Sequence, residues 1–234
     1  MIEGCGFFGK VISHGDFVTR RLPADFLHFW DRWLQSAQLT SRDQLGQDWC
    51  DIYLSSPIWR FVLAPGLCGP QAWVGIIMPG IDKVGRHFPL TLAVASANGV
   101  PTPAWLCVSD PWFEKLEAQA LASLRCDFSL ELFNRTLSMI DGPVEGMKVK
   151  ARRQAGNWVY QLTDETQLDA GLCAIGPLSS AHSLWWSEGS QRVLPCVALC
   201  TGLPEAHRFA AMLDGQWATY GWQQISPLQL GSEL

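Results

Sequence analysis

The sequence predicts one α/β domain of the α+β-like kind, with a mixed, mostly antiparallel sheet and helices packed on its faces. Three observations lead there. Strand-like apolar runs come in neighbouring groups joined by short turns, not in strict alternation with helices. Other segments repeat their apolar residues at helical spacing, with polar residues on the opposite face. The 234 residues include 12 Trp, 11 Phe and 3 Tyr with only 17% charged, which supports a core and excludes an intrinsically disordered chain. At this length folding removes roughly 70% of the extended chain's surface from water, so a single core needs no staples. We read residues 1–222 as one domain and residues 223–234, where periodicity fades, as a loosely ordered tail.

Cys5 to Ile12 is short and apolar, a strand broken by Gly9. Pro23 suits a first helical turn, and Phe26, Phe29, Trp30, Trp33, Leu34 and Ala37 follow at helical spacing. A second helix is expected from about Arg42 to Leu54, ending before Pro57. Three strands come next: Trp59–Leu63, Ala72–Met78 and Phe88–Ala95, separated by Ala64-Pro65-Gly66 and Met78-Pro79-Gly80. Asp110 is the expected N-cap of a helix with Pro111 behind it and Trp112, Phe113, Leu116, Ala120, Leu121 and Leu124 as its buried stripe. A helix over Phe128–Met139 follows, then strands at Trp158–Leu162, Ser183–Ser187 and Pro195–Cys200, and a last helix at Pro204–Leu213.

Net charge is -5 with pI near 5.5, and without a basic face neither duplex DNA nor an anionic membrane is an expected partner. Lys148, Lys150, Arg152 and Arg153 alternate as on a solvated edge strand. The start lacks a basic segment followed by an apolar one, and Asn98, Gly99, Pro101 and Pro103 interrupt the uncharged stretch from Pro89 to Ser109. A cytoplasmic protein with reduced, mostly buried cysteines is therefore expected.

Several motifs fail on context. Gly4-Cys5-Gly6-Phe7-Phe8-Gly9 spells a dinucleotide fingerprint, but no strand precedes it and no helix follows. Read as a phosphate loop ending in Gly9-Lys10, it has Val11 where a hydroxyl should hold magnesium. Cys196, Cys200 and His207 offer three metal ligands at most, in an apolar stretch. Neither a nucleophile elbow nor a zinc-protease helix is present, and His14-Gly15-Asp16 reads as a turn. We therefore expect no catalytic residues, no cofactor and no metal.

What stands out is charge embedded in apolar sequence: Asp16, Arg20 and Arg21 just before the first helix, and Asp82, Lys83 and Arg86 between two strands. Either they form a structural network of ion pairs and turns, or they mark a partner-binding surface. Trp185-Trp186 is the expected aromatic anchor at the surface, because neighbouring strand residues point to opposite faces.

The same segments carry a resemblance. Gly6-Phe7-Phe8-Gly9-Lys10, Gly15-Asp16-Phe17-Val18, Leu22-Pro23 and Trp30-Asp31-x-Trp33-Leu34 open it. Ser56-Pro57-x-Trp59-Arg60-Phe61, Ala64-Pro65-Gly66 and Trp73-x-Gly75-x-x-Met78-Pro79 continue it. Asp82-x-Val84-Gly85-Arg86-x-Phe88-Pro89-Leu90, Ser183-Leu184-Trp185-Trp186 and Gly215-Gln216-Trp217 complete it. As a set they resemble the TagF family, also called ImpM, of type VI secretion-associated proteins, with His14 and Gly80 as departures. The resemblance implies a cytoplasmic negative regulator, not an enzyme, that restrains the secretion apparatus after translation. Its implied partner is the forkhead-associated scaffold protein of the system, and it brings no catalytic residues. The expected docking residues are thus Lys10, Asp16, Arg20, Asp82, Arg86, Trp185 and Trp186. The alternatives are a hydrolase-like enzyme built on His14, Asp16 and Asp82, and a structural part of the secretion machine.

Overall fold

A computed structural model describes residues 4–97, 99–106, 108–143, 146–147, 156–162 and 181–225. The basic run at 148–153 and the tail from residue 226 lie outside the described residues. In chain order the first half holds β1 (Gly6–Gly9), β2 (Val18–Arg20), α1 (Ala24–Leu45), α2 (Trp49–Leu54), β3 (Trp59–Leu63), β4 (Ala72–Met78) and β5 (Leu90–Ser96). Then come β6 (Val100–Pro101), α3 (Pro103–Leu106), α4 (Asp110–Ala122), α5 (Leu130–Leu137) and β7 (Gly146–Met147). The last elements are β8 (Trp158–Gln161), β9 (His182–Ser187), β10 (Cys196–Thr201), α6 (Phe209–Asp214) and β11 (Gln223–Gln224).

Among the described residues, nine strands form one sheet in the order β11-β8-β10-β9-β3-β4-β5-β1-β2, and β6 pairs with β7 apart from it. Every pairing is antiparallel except β11 on β8. The expected mixed, mostly antiparallel sheet with helices on its faces is what forms. Both faces of the sheet are covered. On one, Phe26, Trp30 and Leu34 of α1 meet Phe61, Trp73 and Trp185, with α2 and α6 beside them. On the other, Phe113, Leu116 and Ala120 of α4 and Phe133 and Leu137 of α5 meet Val62, Val74, Ile76 and Trp186. A strand buried on both sides reads as an unbroken apolar run, and β3 and β4 are buried at every position.

That double cover overturns one expectation. Trp185 and Trp186 do point to opposite faces, yet both are 0% exposed. Trp185 lies against Phe61 at 5.3 Å and Trp33 at 5.5 Å, and its Nε1 donates to Ser183 Oγ at 2.8 Å. Trp186 meets Phe113 edge to face at 4.9 Å on the α4 side. Neither is a surface anchor; each fills one of the two helix–sheet layers.

Several boundaries moved for identifiable reasons. α1 runs 22 residues, through the expected start of the second helix at Arg42, and stops at Gly46 with φ 57°. Asp110 lies inside α4 behind Ser109, because its carboxylate binds the Arg60 guanidinium at 2.6 Å and caps no amide. α5 begins later than expected, where Ser129 Oγ accepts from Leu132 N at 3.3 Å. Gly9 is required for packing, since its φ is 143° and a Cβ there would run into the Pro89 carbonyl. The chain past residue 222 is held as far as Ile225, whose N–H donates to Val159 O at 3.0 Å.

Candidate docking surface

Strand order decides what meets at one end of the sheet. β1 pairs antiparallel with β2 and with β5, and β4 pairs antiparallel with β5. The loop after Gly9 and the loop after Met78 therefore emerge side by side although they are remote in sequence. Hydrogen bonds then join them, one between backbones and one from a side chain. Lys83 N donates to His14 O at 3.0 Å, and the Arg86 guanidinium donates to Gly15 O.

Asp82 organises this tip. Its side chain is fully buried, and its carboxylate accepts four hydrogen bonds. Oδ2 accepts from Lys10 Nζ at 2.8 Å and Arg86 Nε at 2.8 Å. Oδ1 accepts from Val84 N at 3.0 Å and Arg86 N at 2.9 Å. Burial alone raises the carboxyl pKa, but these donors outweigh it and hold the group well below the ordinary carboxylate range. Asp82 also donates its own N–H to Arg86 O at 3.0 Å, closing the turn over 82–86. The loop base is fixed as well: Gly80 exchanges two hydrogen bonds with the Tyr53 hydroxyl, at 2.9 and 3.1 Å.

The expected site residues separate on this frame. Lys10 and Asp82 are buried supports, which corrects their assignment as orienting charges on the surface. Lys10 Nζ also lies 5.2 Å from the centre of the Phe17 ring. Arg86 is exposed, and Asp16 is fully exposed 4.0 Å from it. Arg20 is exposed on β2 and donates to the Thr19 carbonyl next to it. The imidazole of His14 bonds to Ser13 Oγ at 2.8 Å and to neither Asp16 nor Asp82. With all four hydrogen bonds to its carboxylate made inside the fold, Asp82 is poorly placed to act as a base.

Two outward residues escaped the sequence reading. Phe17 is 47% exposed and Val84 is 67% exposed, on the two joined loops. Phe17 is braced from beneath by Phe8 at 5.4 Å and Phe88 at 4.8 Å. Exposed Lys83 stands next to Val84. The available signal was an apolar residue inside each turn-rich, charged segment, where solvent-facing loops carry polar side chains.

A second polar centre was also missed. Arg60 on β3 is 1% exposed and bound by three carboxylates: Glu117 at 2.5 Å, Asp110 at 2.6 Å and Glu188 at 2.6 Å. From the arginine the contacts are favourable: burial opposes its charge, but the acids raise its pKa beyond the ordinary value. From Glu188 they are not, because burial and the two neighbouring acids outweigh Arg60 and raise its pKa. One cation cannot satisfy three anions equally, and Glu188, half-exposed at the rim, is the one left worst off. This centre ties β3 to α4 and to the end of β9.

The model of the TagF N-terminal domain, described as type VI secretion system-associated, matches residues 6–140, more than half of the chain and all of the tip. The chain is also similar to PA0076 from Pseudomonas aeruginosa PAO1, known from a crystal structure at 2.05 Å resolution. The two share 36% identity with a TM-score of 0.73, over 91% of this chain and 94% of that one. No curated protein matches. A family match this long, on the sheet and loops described above, places the chain in the TagF family of type VI secretion system-associated proteins.

Proposed function

We propose that the chain is a cytoplasmic negative regulator that acts after translation by occupying a component of the type VI apparatus, with the forkhead-associated scaffold protein as partner. The observation that carries this reading is the tip. Two loops remote in sequence are locked together through a buried carboxylate, and the rigid result presents Phe17 and Val84 to solvent beside Lys83 and Arg86. A preformed apolar spot rimmed by charge loses little conformational entropy on docking. The same geometry favours binding over catalysis. His14 is engaged with Ser13, and Asp82 is saturated inside the fold, so the residues of the hydrolase alternative form no hydrogen-bonded acid–base arrangement.

Secretion output from a deletion strain tests the reading. A restrainer predicts that secretion rises when the chain is removed, whereas a structural part of the machine predicts that it stops. Unchanged or reduced output sinks the regulatory reading.

A further inference from the structure

Six free cysteines lie among the described residues, and one of them faces a base. Burial pushes the thiols of Cys5 and Cys68 up to about 12 and raises those of Cys196 and Cys200 as well. These four sit in the core as inert apolar groups. Cys126 is exposed on the turn between α4 and α5, and among the described residues no base bonds to it. Cys50 on α2 is only partly buried, and its Sγ lies 3.5 Å from His87 Nε2. The imidazole is held in place. Trp49 and Tyr53, one turn apart on α2, meet it edge-on at 5.4 and 5.6 Å, and its backbone bridges to Ile81. Burial lowers the imidazole pKa first, and the charges of Arg42 and Lys10 lower it further against Asp82. The ring is therefore uncharged at pH 7, with a lone pair free to take a proton. Charge of both signs surrounds the pair, since exposed Asp43 follows Arg42 and exposed Asp48 and Asp51 stand within two positions of Cys50. Activation of the thiol thus falls to the base in contact with it.

We propose that Cys50 and His87 form a nucleophile–base pair, a modification site at which a low-molecular-weight disulfide leaves half of itself on Cys50. His87 Nε2 takes the S–H proton while the sulfur attacks one sulfur of the disulfide. A new S–S bond forms, the old one breaks, and the departing thiolate recovers the proton from the imidazolium. Cys50 is oxidised to a mixed disulfide, and the other half of the reagent is reduced to a free thiol. Excess thiol reverses the step. Partial burial of Sγ admits a small disulfide and keeps out one carried by a folded protein. His87 belongs to the 79–89 loop, so the adduct lands at the base of the tip that carries Val84 and Arg86. The site stands whether or not that tip docks a partner.

The probe is dipyridyl disulfide, small and uncharged, added to the full native chain, with adducts located over time by acid quench and peptide mass spectrometry. Exposed Cys126 is the internal reference. At about pH 7 Cys50 should be labelled about tenfold faster than Cys126, since a positioned base speeds proton removal by more than partial burial slows attack. Going from about pH 8 to about pH 7 should slow Cys126 about tenfold, as its reaction follows the thiolate fraction. Cys50 should slow less than about threefold, because its base travels with it. His87→Gln should slow Cys50 about tenfold and leave Cys126 within about twofold. Labelling of Cys196 and Cys200 marks loss of the fold, and if the variant shows it, the pH comparison in the parent decides alone. Cys50 slower than Cys126, equal pH dependence of the two thiols, or an unchanged Cys50 rate in folded His87→Gln overturns the proposal.

Discussion

Two buried charged centres, one around Asp82 and one around Arg60, carry the polar design, and they behave differently when disturbed. Asp82 is ionised because Lys10 and Arg86 make it so, and the sign of its pH dependence follows. A carboxyl with a depressed folded pKa contributes stability that is complete above the unfolded value, near 4, and is lost as pH falls toward the folded value. Asp82→Asn should therefore lower the melting temperature at pH 7 and flatten its decline below about pH 4, read by circular dichroism across that range. A parent-like acid limb in the variant would remove Asp82 from this role. At Arg60 the asymmetry runs the other way. Arg60→Met leaves three acids around an emptied cation site and should cost about 3–5 kcal/mol in urea unfolding. Glu188→Gln should be neutral or slightly stabilising at pH 7, since its raised pKa means that its ionised form is disfavoured by folding. A large loss at Glu188 would show that the rim carboxylate is a true partner of Arg60.

At the level of elements, the long strands and helices were legible because their residues meet one environment along their length. β3, β4 and β5 read as apolar runs since helices cover both faces, and α1 read as a stripe since one side faces the sheet. Short edge elements were not. β2 has three residues and β11 two, too few to show a period, and β11 pairs with a strand some 65 positions earlier, at Gln223 opposite Trp158. The helix caps misled where a side chain had a stronger partner elsewhere, as Asp110 has in Arg60. The tryptophan pair on β9 shows the limit most clearly. Alternation correctly sent the two rings to opposite sides, but only the tertiary structure reveals that a helix layer waits on each. Trp185→Ala and Trp186→Ala should each cost about 3–5 kcal/mol of stability, as deletion of a buried ring does. Retained stability in either variant would reopen that position as a surface anchor. Gly80 makes the same point for a loop: a Cβ there would meet the Phe88 and Lys10 carbonyls, so Gly80→Ala should destabilise the tip and lower the melting temperature without changing any charge.

The whole molecule explains why the candidate site was half visible. The charged residues stood out in sequence, yet their division into buried supports and exposed contacts depends on β1 and β4 finishing at the same end of the sheet, on either side of β5. That arrangement makes a testable gradient of local stability. β3, β4 and β9 lie centrally with both faces covered, so their amides should exchange only on global unfolding, while β2 and β11 at the two edges should open first. The tip should not behave as a loop. The amides of Asp82 and Lys83 bond to Arg86 O and His14 O, and Val84 N bonds to the buried Asp82 carboxylate. Hydrogen exchange at these three positions should thus be slower than at β2, and Asp82→Asn should release them while leaving β3 and β4 protected. Exchange at open-loop rates in the parent protein would mean that the two loops are not locked before a partner arrives, and the preformed surface would lose its physical basis.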